Sequence, residues 1–358
     1  MNKTHASVAI VGGGVIGLSI ANELVNRDVT VDVFSPQPVE QTTSATAAAF
    51  WAPYWVGDYP ARWAAETLGT LQEFARQGVR GVGFADFEEW MSDSGYAELQ
   101  TEMSAGGIQA PYWWRDFSGV DFHIESIDPP KQRSIPPYGN VQFTRKVCFR
   151  TVVARMTDYL EFLRERACAS GRVRMVSQWV SDLASLADEY QTVFHCTGWG
   201  AKRLCQADPS TRDMKLLAGL VCRVENASID KAILLHRDQF HATPLYIVPR
   251  RGTVADVICG GTAIEIDGTP DPQLPLQVPQ PEQWQRIMQQ CRGVATQLKE
   301  EDVQENLCGL RPVRDRVRLE RDPSLPSVIH CYGHGGSGLT LSWGSARAAV
   351  GLMDTSRP

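Results

Sequence analysis

Residues 8–17 read Val-Ala-Ile-Val-Gly-Gly-Gly-Val-Ile-Gly, and no other stretch limits the fold as tightly. An apolar β-type run feeds a turn in which Gly12, Gly14 and Gly17 keep the G-x-G-x-x-G spacing. Val15 and Ile16 then open a helical pattern. Each glycine has a mechanical part. Gly12 makes the tight turn, Gly14 lets a phosphate approach the main chain, and Gly17 lets the helix pack closely on the strand. Such a turn leaves N–H groups bare at a helix N-terminus, where a pyrophosphate can sit. The chain therefore opens on an adenine-dinucleotide site.

At 358 residues the chain exceeds one compact core of usual size, so two domains are expected. No apolar run approaches the roughly 20 residues of a spanning helix, and no membrane partner is expected. Residues 1–7 are polar and lack a signal-peptide core. The net charge of −6 argues against nucleic acid. Nine cysteines are scattered without a C-x-x-C pair, which suits free thiols in a reducing cytoplasm. His330 and His334 lie four apart, but on a glycine-rich loop rather than a helix, so no metal is expected.

Periodicity predicts strands over 7–11 and 29–34 around a helix over 15–26. Helices are predicted over 67–76, 150–169, 282–297 and from about 341 to 353, and a loop over 129–137. Strands are predicted over 173–176, 192–196, 216–224 and 328–332, with a hairpin of 245–248 and 254–259. The small residues 42–49 allow close approach to something flat, and the aromatic cluster Phe50, Trp51, Tyr54 and Trp55 follows.

Four separated segments line up in order. They are residues 8–17, residues 42–54 (Thr-Thr-Ser-Ala-Thr-Ala-Ala-Ala-Phe-Trp-Ala-Pro-Tyr), His195-Cys196-Thr197-Gly198, and the pair Gly309-Leu310-Arg311-Pro312 with His330-Cys331-Tyr332-Gly333-His334-Gly335-Gly336-Ser337-Gly338-Leu339-Thr340. Together they resemble the D-amino acid oxidase family of flavoproteins, most weakly over residues 56–140. The resemblance implies an α/β fold: a Rossmann-like FAD-binding domain interleaved with a mainly antiparallel substrate domain. The expected cofactor segments are 1–55, 145–205 and 301–358, and the substrate segments are 56–144 and 206–300.

The residues favour FAD over NAD. An NAD site expects an acid near the end of the second strand, where this chain has Ser35-Pro36, and Asp32 lies inside the strand. Many family members carry that acid, so its lack is a departure, and Ser35 is the candidate for the ribose. The loop 333–338 repeats the anion-site logic at the other end of the cofactor, where Gly335, Gly336, Ser337, Gly338, Leu339 and the Thr340 hydroxyl would face the flavin. Ala47, Ala48 and Ala49 are expected against the ring, and Thr43 and Ser44 on phosphate or ribitol oxygens. Val180, Thr197 and Gly198 complete the expected cofactor set.

Arg311 is the candidate for the substrate carboxylate, because a guanidinium matches it with two parallel hydrogen bonds and a permanent charge. The resemblance points to the same arginine, gives Tyr246 a hydroxyl bond to that carboxylate, and lets the Gly336 carbonyl accept from the amine. The family's second pocket tyrosine has no counterpart in residues 239–244; His241 or Phe240 takes its place, with Trp51 and Tyr54 as further walls. Ala263 stands where acid-specific relatives carry an arginine, which favours neutral substrates. The implied reaction moves a hydride from Cα of a neutral D-amino acid to flavin N5. Hydrolysis then gives the 2-oxo acid and ammonia, and dioxygen is reduced to hydrogen peroxide. A homodimer is compatible with this reading. The alternatives are an oxidase of a secondary or cyclic amine such as glycine or sarcosine, a non-catalytic flavin protein, and an NAD dehydrogenase.

Overall fold

The computed structural model describes residues 6–52, 60–104, 120–225, 228–235, 245–250, 255–271, 276, 280 and 282–354. Strand β1 (Ala6–Val11) and strand β2 (Val29–Phe34) flank helix α1 (Val15–Leu24), and the two strands pair in parallel. Nearly every residue of α1 is buried, so the helix is apolar around most of its circumference. Two 3₁₀ turns, Val39–Gln41 and Thr43–Thr46, follow.

The chain then runs through α2 (Ala61–Arg76), β3 (Val82–Met91), α3 (Asp93–Ser104), β4 (Phe122–Ile135) and β5 (Gly139–Ala154). Next come α4 (Met156–Cys168), β6 (Val173–Val176), α5 (Leu183–Glu189) and β7 (Thr192–His195). The short helices α6 (Ala201–Leu204) and α7 (Pro209–Arg212) lead into β8 (Lys215–Val224), β9 (Ala232–Leu235), β10 (Tyr246–Arg250), β11 (Asp256–Gly260) and β12 (Ile264–Ile266). Helix α8 (Gln283–Val294), β13 (Val303–Arg321), β14 (Val328–His334) and α9 (Gly338–Asp354) close the chain.

Among the described residues the strands form one sheet, ordered β4-β5-β3-β9-β10-β11-β8-β13-β14-β7-β1-β2-β6, with β12 on β8. From β14 to β6 every pair is parallel. From β13 to β4 the pairs are antiparallel, apart from β3 with β9. The expected combination of a parallel cofactor half and a mainly antiparallel half is what the sheet shows. The main core runs from the parallel half under α1, α4 and α9 on to β3 and β5, where α2 packs, and a second core packs α8 against the antiparallel half.

Four sequence expectations need correction. Residues 150–154 continue β5 rather than opening a helix, because Thr151, Val152 and Val153 are β-branched and pair with β3. Residues 129–135 belong to β4 rather than a loop; β4 is an edge strand, and its prolines fall where the register shifts between Ser126 and Lys131. Helix α2 begins at Ala61 rather than 67. Gly333 and His334 still belong to β14, and α9 starts at Gly338, so the second glycine turn is tighter than the sequence suggests.

Candidate active site

The glycine turn joins β1 to α1 at the lip of a cavity of about 530 Å³. Gly12 has φ +118°, which a side chain rarely tolerates. A Cβ on Gly13 would stand 2.7 Å from Ser35 Oγ, so the turn lies tight on the end of β2. Gly17 packs against the Gly12 carbonyl and does not face the cavity, in keeping with its reading as the helix–strand contact. The Val15 N–H donates to Ser44 Oγ at 3.1 Å, which fastens the 43–46 turn to the start of α1.

Gly12, Gly14, Val15, Ile16, Ser35, Thr43 and Ser44 all line the cavity, as do Val180, Thr197 and Gly198 across from them. The Ser35 hydroxyl donates to the Gln37 carbonyl at 2.8 Å. Asp32 faces away: it accepts both arms of Arg174 at 2.9 Å and the Tyr190 hydroxyl at 2.7 Å. Burial would raise its pKa, but those donors outweigh burial and hold the carboxyl below its usual value.

At the other end Gly335, Gly336, Gly338, Leu339 and Thr340 line the same cavity; Ser337 is buried and turned off it. Gly338 and Leu339 open α9, so no carbonyl one turn earlier satisfies their N–H groups. The Thr340 hydroxyl donates to the Ala52 carbonyl at 2.7 Å and accepts from the Ala52 N–H at 3.0 Å. Its hydroxyl hydrogen is thus committed to the protein. The Gly335 N–H donates to the Pro312 carbonyl at 2.9 Å, tying this turn to β13.

Ala47, Ala48 and Ala49 form a third wall. The Ala49 carbonyl accepts from the Ala154 N–H at 2.7 Å, and the Ala47 carbonyl accepts from Arg250 Nη1 at 3.2 Å. Arg250 is itself clamped by Asp256 through bonds of 2.8 and 2.7 Å, with both residues buried.

Arg311 projects from β13, and its Nη1 donates to the Thr262 carbonyl at 2.6 Å. The guanidinium lies flat on Gly219 of β8, where any Cβ would collide with it. Tyr246 opens β10, and its ring lies over Gly260 and Gly261, where a Cβ would again collide. Burial raises the Tyr246 phenol above its usual pKa, against the opposing pull of Arg311, so the hydroxyl stays a donor. Arginine and tyrosine thus face the one cavity from two glycine floors.

Trp51 is not a pocket wall: it is fully buried, and its indole N–H donates to the Ala64 carbonyl at 3.0 Å. Tyr54, Phe240 and His241 lie outside the described residues. Sequence reasoning passed over Gly219 and gave Gly260 and Gly261, on the pocket hairpin, no part as a floor, although glycine inside an apolar β run signals a close approach. It also passed over Val221 and Leu234, which join Phe50 in an apolar wall of the cavity.

The residues fit a flavin dinucleotide. One cavity joins a phosphate turn at the start of α1 to a second glycine turn at the start of α9, with the arginine and tyrosine beside it. Comparisons with known proteins agree. The family model described as FAD dependent oxidoreductase (DAO) matches residues 7–352. The D-amino-acid oxidase of Rubrobacter xylanophilus is 33% identical over 356 residues, covering 98% of this chain and 96% of that protein. The D-amino-acid oxidase of Streptomyces coelicolor is 31% identical over 358 residues, covering 98% of both. The solved glycine oxidase of Bacillus cereus shares the fold, with a TM-score of 0.72 at 18% identity over 98% of this chain and 95% of that one. An amino-acid-oxidase-like enzyme with FAD as its cofactor, this chain belongs to the DAO family of FAD-dependent oxidoreductases.

Proposed function

We propose that the enzyme oxidises a neutral D-amino acid to the 2-oxo acid, ammonia and hydrogen peroxide, with dioxygen as the electron acceptor. The observation that carries this reading is the pairing of Arg311 with Tyr246 over glycine floors, in the cavity that holds both glycine turns. The guanidinium is anchored on the Thr262 carbonyl and also donates to the Tyr246 hydroxyl, and its other N–H groups would meet the carboxylate. The Tyr246 hydroxyl donates a further bond. Two fixed partners on the carboxylate orient the substrate's Cα–H, and orientation is most of what this reaction asks of the protein.

When bound, FAD supplies the two-electron sink. The amine enters deprotonated, and the Gly336 carbonyl accepts from it. The first glycine turn takes the pyrophosphate, with Thr43 and Ser44 beside it; Ser35 serves the ribose and Val180 the adenine. Ala47–Ala49 and the start of α9 hold the ring. The five-segment division belongs to this proposal: 1–55, 145–205 and 301–358 for cofactor, 56–144 and 206–300 for substrate. Phe50, Val221 and Leu234 give the substrate side chain an apolar wall, and Ala263 supplies no cation. The preference for the D isomer rests on the two bacterial relatives. A cytoplasmic location is part of the same reading, supported by the scattered cysteines.

The test mixes purified, FAD-loaded enzyme anaerobically with paired D and L amino acids, D-aspartate and glycine, follows loss of flavin absorbance, and then measures peroxide in air. Neutral D isomers should bleach the flavin fastest. Faster bleaching by glycine, by D-aspartate or by L isomers would overturn the reading.

A further inference from the structure

Two histidines outside the proposed reaction sit side by side next to the cofactor cavity. The parallel pairing of β7 with β14 aligns His195 with His330. Their Nδ1 atoms are 3.0 Å apart, and Sγ of Cys205, one residue past α6, lies 3.7 Å from His195 Nδ1. The three ligand-type atoms all fall within 4.8 Å of one another. The outward nitrogens are already held: His195 Nε2 by the Thr197 hydroxyl at 2.7 Å, and His330 Nε2 by the Asp322 carboxylate at 2.9 Å. Asp322 is fixed in turn by the N–H groups of Ser324 and Leu325. Each ring therefore turns Nδ1 to a shared centre while an outer partner fixes its orientation, as metal-bound histidines require.

The spacing suits a small ion. Tetrahedral bonds of about 2.0 Å to nitrogen and 2.3 Å to sulfur imply edges of about 3.3 Å between nitrogens and 3.5 Å between nitrogen and sulfur. The two edges that meet at His195, 3.0 and 3.7 Å, lie within a few tenths of these, and the third, from His330 to Cys205, is within 4.8 Å. Two imidazoles and a thiolate select a borderline-soft cation over magnesium or calcium. The neighbouring Arg318 charge is met by Asp208 and Glu320. We propose that His195 Nδ1, His330 Nδ1 and Cys205 Sγ form a site for Zn²⁺ or a similar divalent cation, with water in the fourth position.

The protons balance. Because His330 donates from Nε2 to Asp322, its Nδ1 lone pair is free to bind. His195 moves its hydrogen from Nδ1 to Nε2, which the Thr197 hydroxyl allows by accepting instead of donating. Cys205 gives its thiol proton to solvent as the S–Zn bond forms, so one proton leaves per ion. Thr197 lines the cofactor cavity, so the ion would also change which way that hydroxyl points its hydrogen.

Chelator-treated, FAD-loaded enzyme is titrated with Zn²⁺ by calorimetry in two buffers of different protonation enthalpy. Wild type should bind one ion per chain and release about one proton. Cys205→Ser should lose the proton release and weaken binding about tenfold or more. His123→Ala removes a ligand from the grouping of exposed His123 and Glu125 with half-buried Cys148, and should change nothing. The site is refuted by absence of one-to-one binding in wild type, by an unaltered titration in Cys205→Ser, or by loss of binding in His123→Ala. Should Cys205→Ser fail to fold, Zn²⁺ must protect Cys205 of wild type from alkylation, read by peptide mapping; equal labelling with and without Zn²⁺ refutes it.

Discussion

Arg311, the proposed partner of the substrate carboxylate, shows how a single side chain is held in place. The glycine beneath it admits the guanidinium, and the Thr262 carbonyl sets its rotation before any substrate arrives. Arg311→Ala should cut kcat/KM for amino acids by at least about thirtyfold, since truncating one partner of a close charge pair costs about 2–5 kcal/mol. Flavin content should stay near wild type; an unchanged kcat/KM would remove the arginine from the carboxylate. Asp32 shows the opposite case, a carboxylate placed where a dinucleotide acid could be sought but bound instead to Arg174 and Tyr190. Its folded pKa lies below its unfolded value of about 4. The stabilisation is therefore complete above that unfolded value and is lost as pH falls through the lower folded one. Asp32→Asn should lower the melting temperature at neutral pH and flatten the acid limb of the stability profile. Equal losses at pH 7 and pH 3 would contradict the pair.

At the scale of elements, the β10–β11 hairpin matters beyond its own strands. Arg250 and Asp256 face each other across it, and Arg250 reaches on to the Ala47 carbonyl of the cavity wall. Removing one partner of a buried pair costs about 3–5 kcal/mol. Asp256→Ala should lose about that much in denaturant unfolding and should shed FAD faster on dialysis. Wild-type FAD retention in a folded variant would show that the wall needs no such anchor. Elements differ in how far the sequence disclosed them. The turn from Gly12 to Gly17 was legible because all its constraints are local and fall within six residues. Residues 150–154 were not, because a short apolar run fits helix and strand periods alike and pairing with β3 decides it. Trp51 misled because the face an aromatic takes depends on which carbonyl awaits its N–H, here that of Ala64. The contact of His195 with His330 spans 135 positions, and only the parallel register reveals it.

At the scale of the molecule, the cavity lies where the sheet changes from parallel to antiparallel pairing, so FAD in the proposed site would bridge segments from both ends and the centre of the chain. A ligand that binds only the folded state adds about 2.7 kcal/mol at a hundred times its Kd. At roughly 1–2 °C per kcal/mol for a chain of this length, adding FAD to apoprotein should raise the melting temperature by about 3–5 °C. A melting temperature indifferent to FAD would deny the cofactor that bridging place. The bond from the Gly335 N–H to the Pro312 carbonyl spans the same boundary, one residue along from Arg311. If Arg311 grips the substrate's acid end as proposed, the residue next to it on β13 is the one that restrains the far glycine loop, so the group that would read the substrate and the group that would seat the electron acceptor hang from one short length of strand.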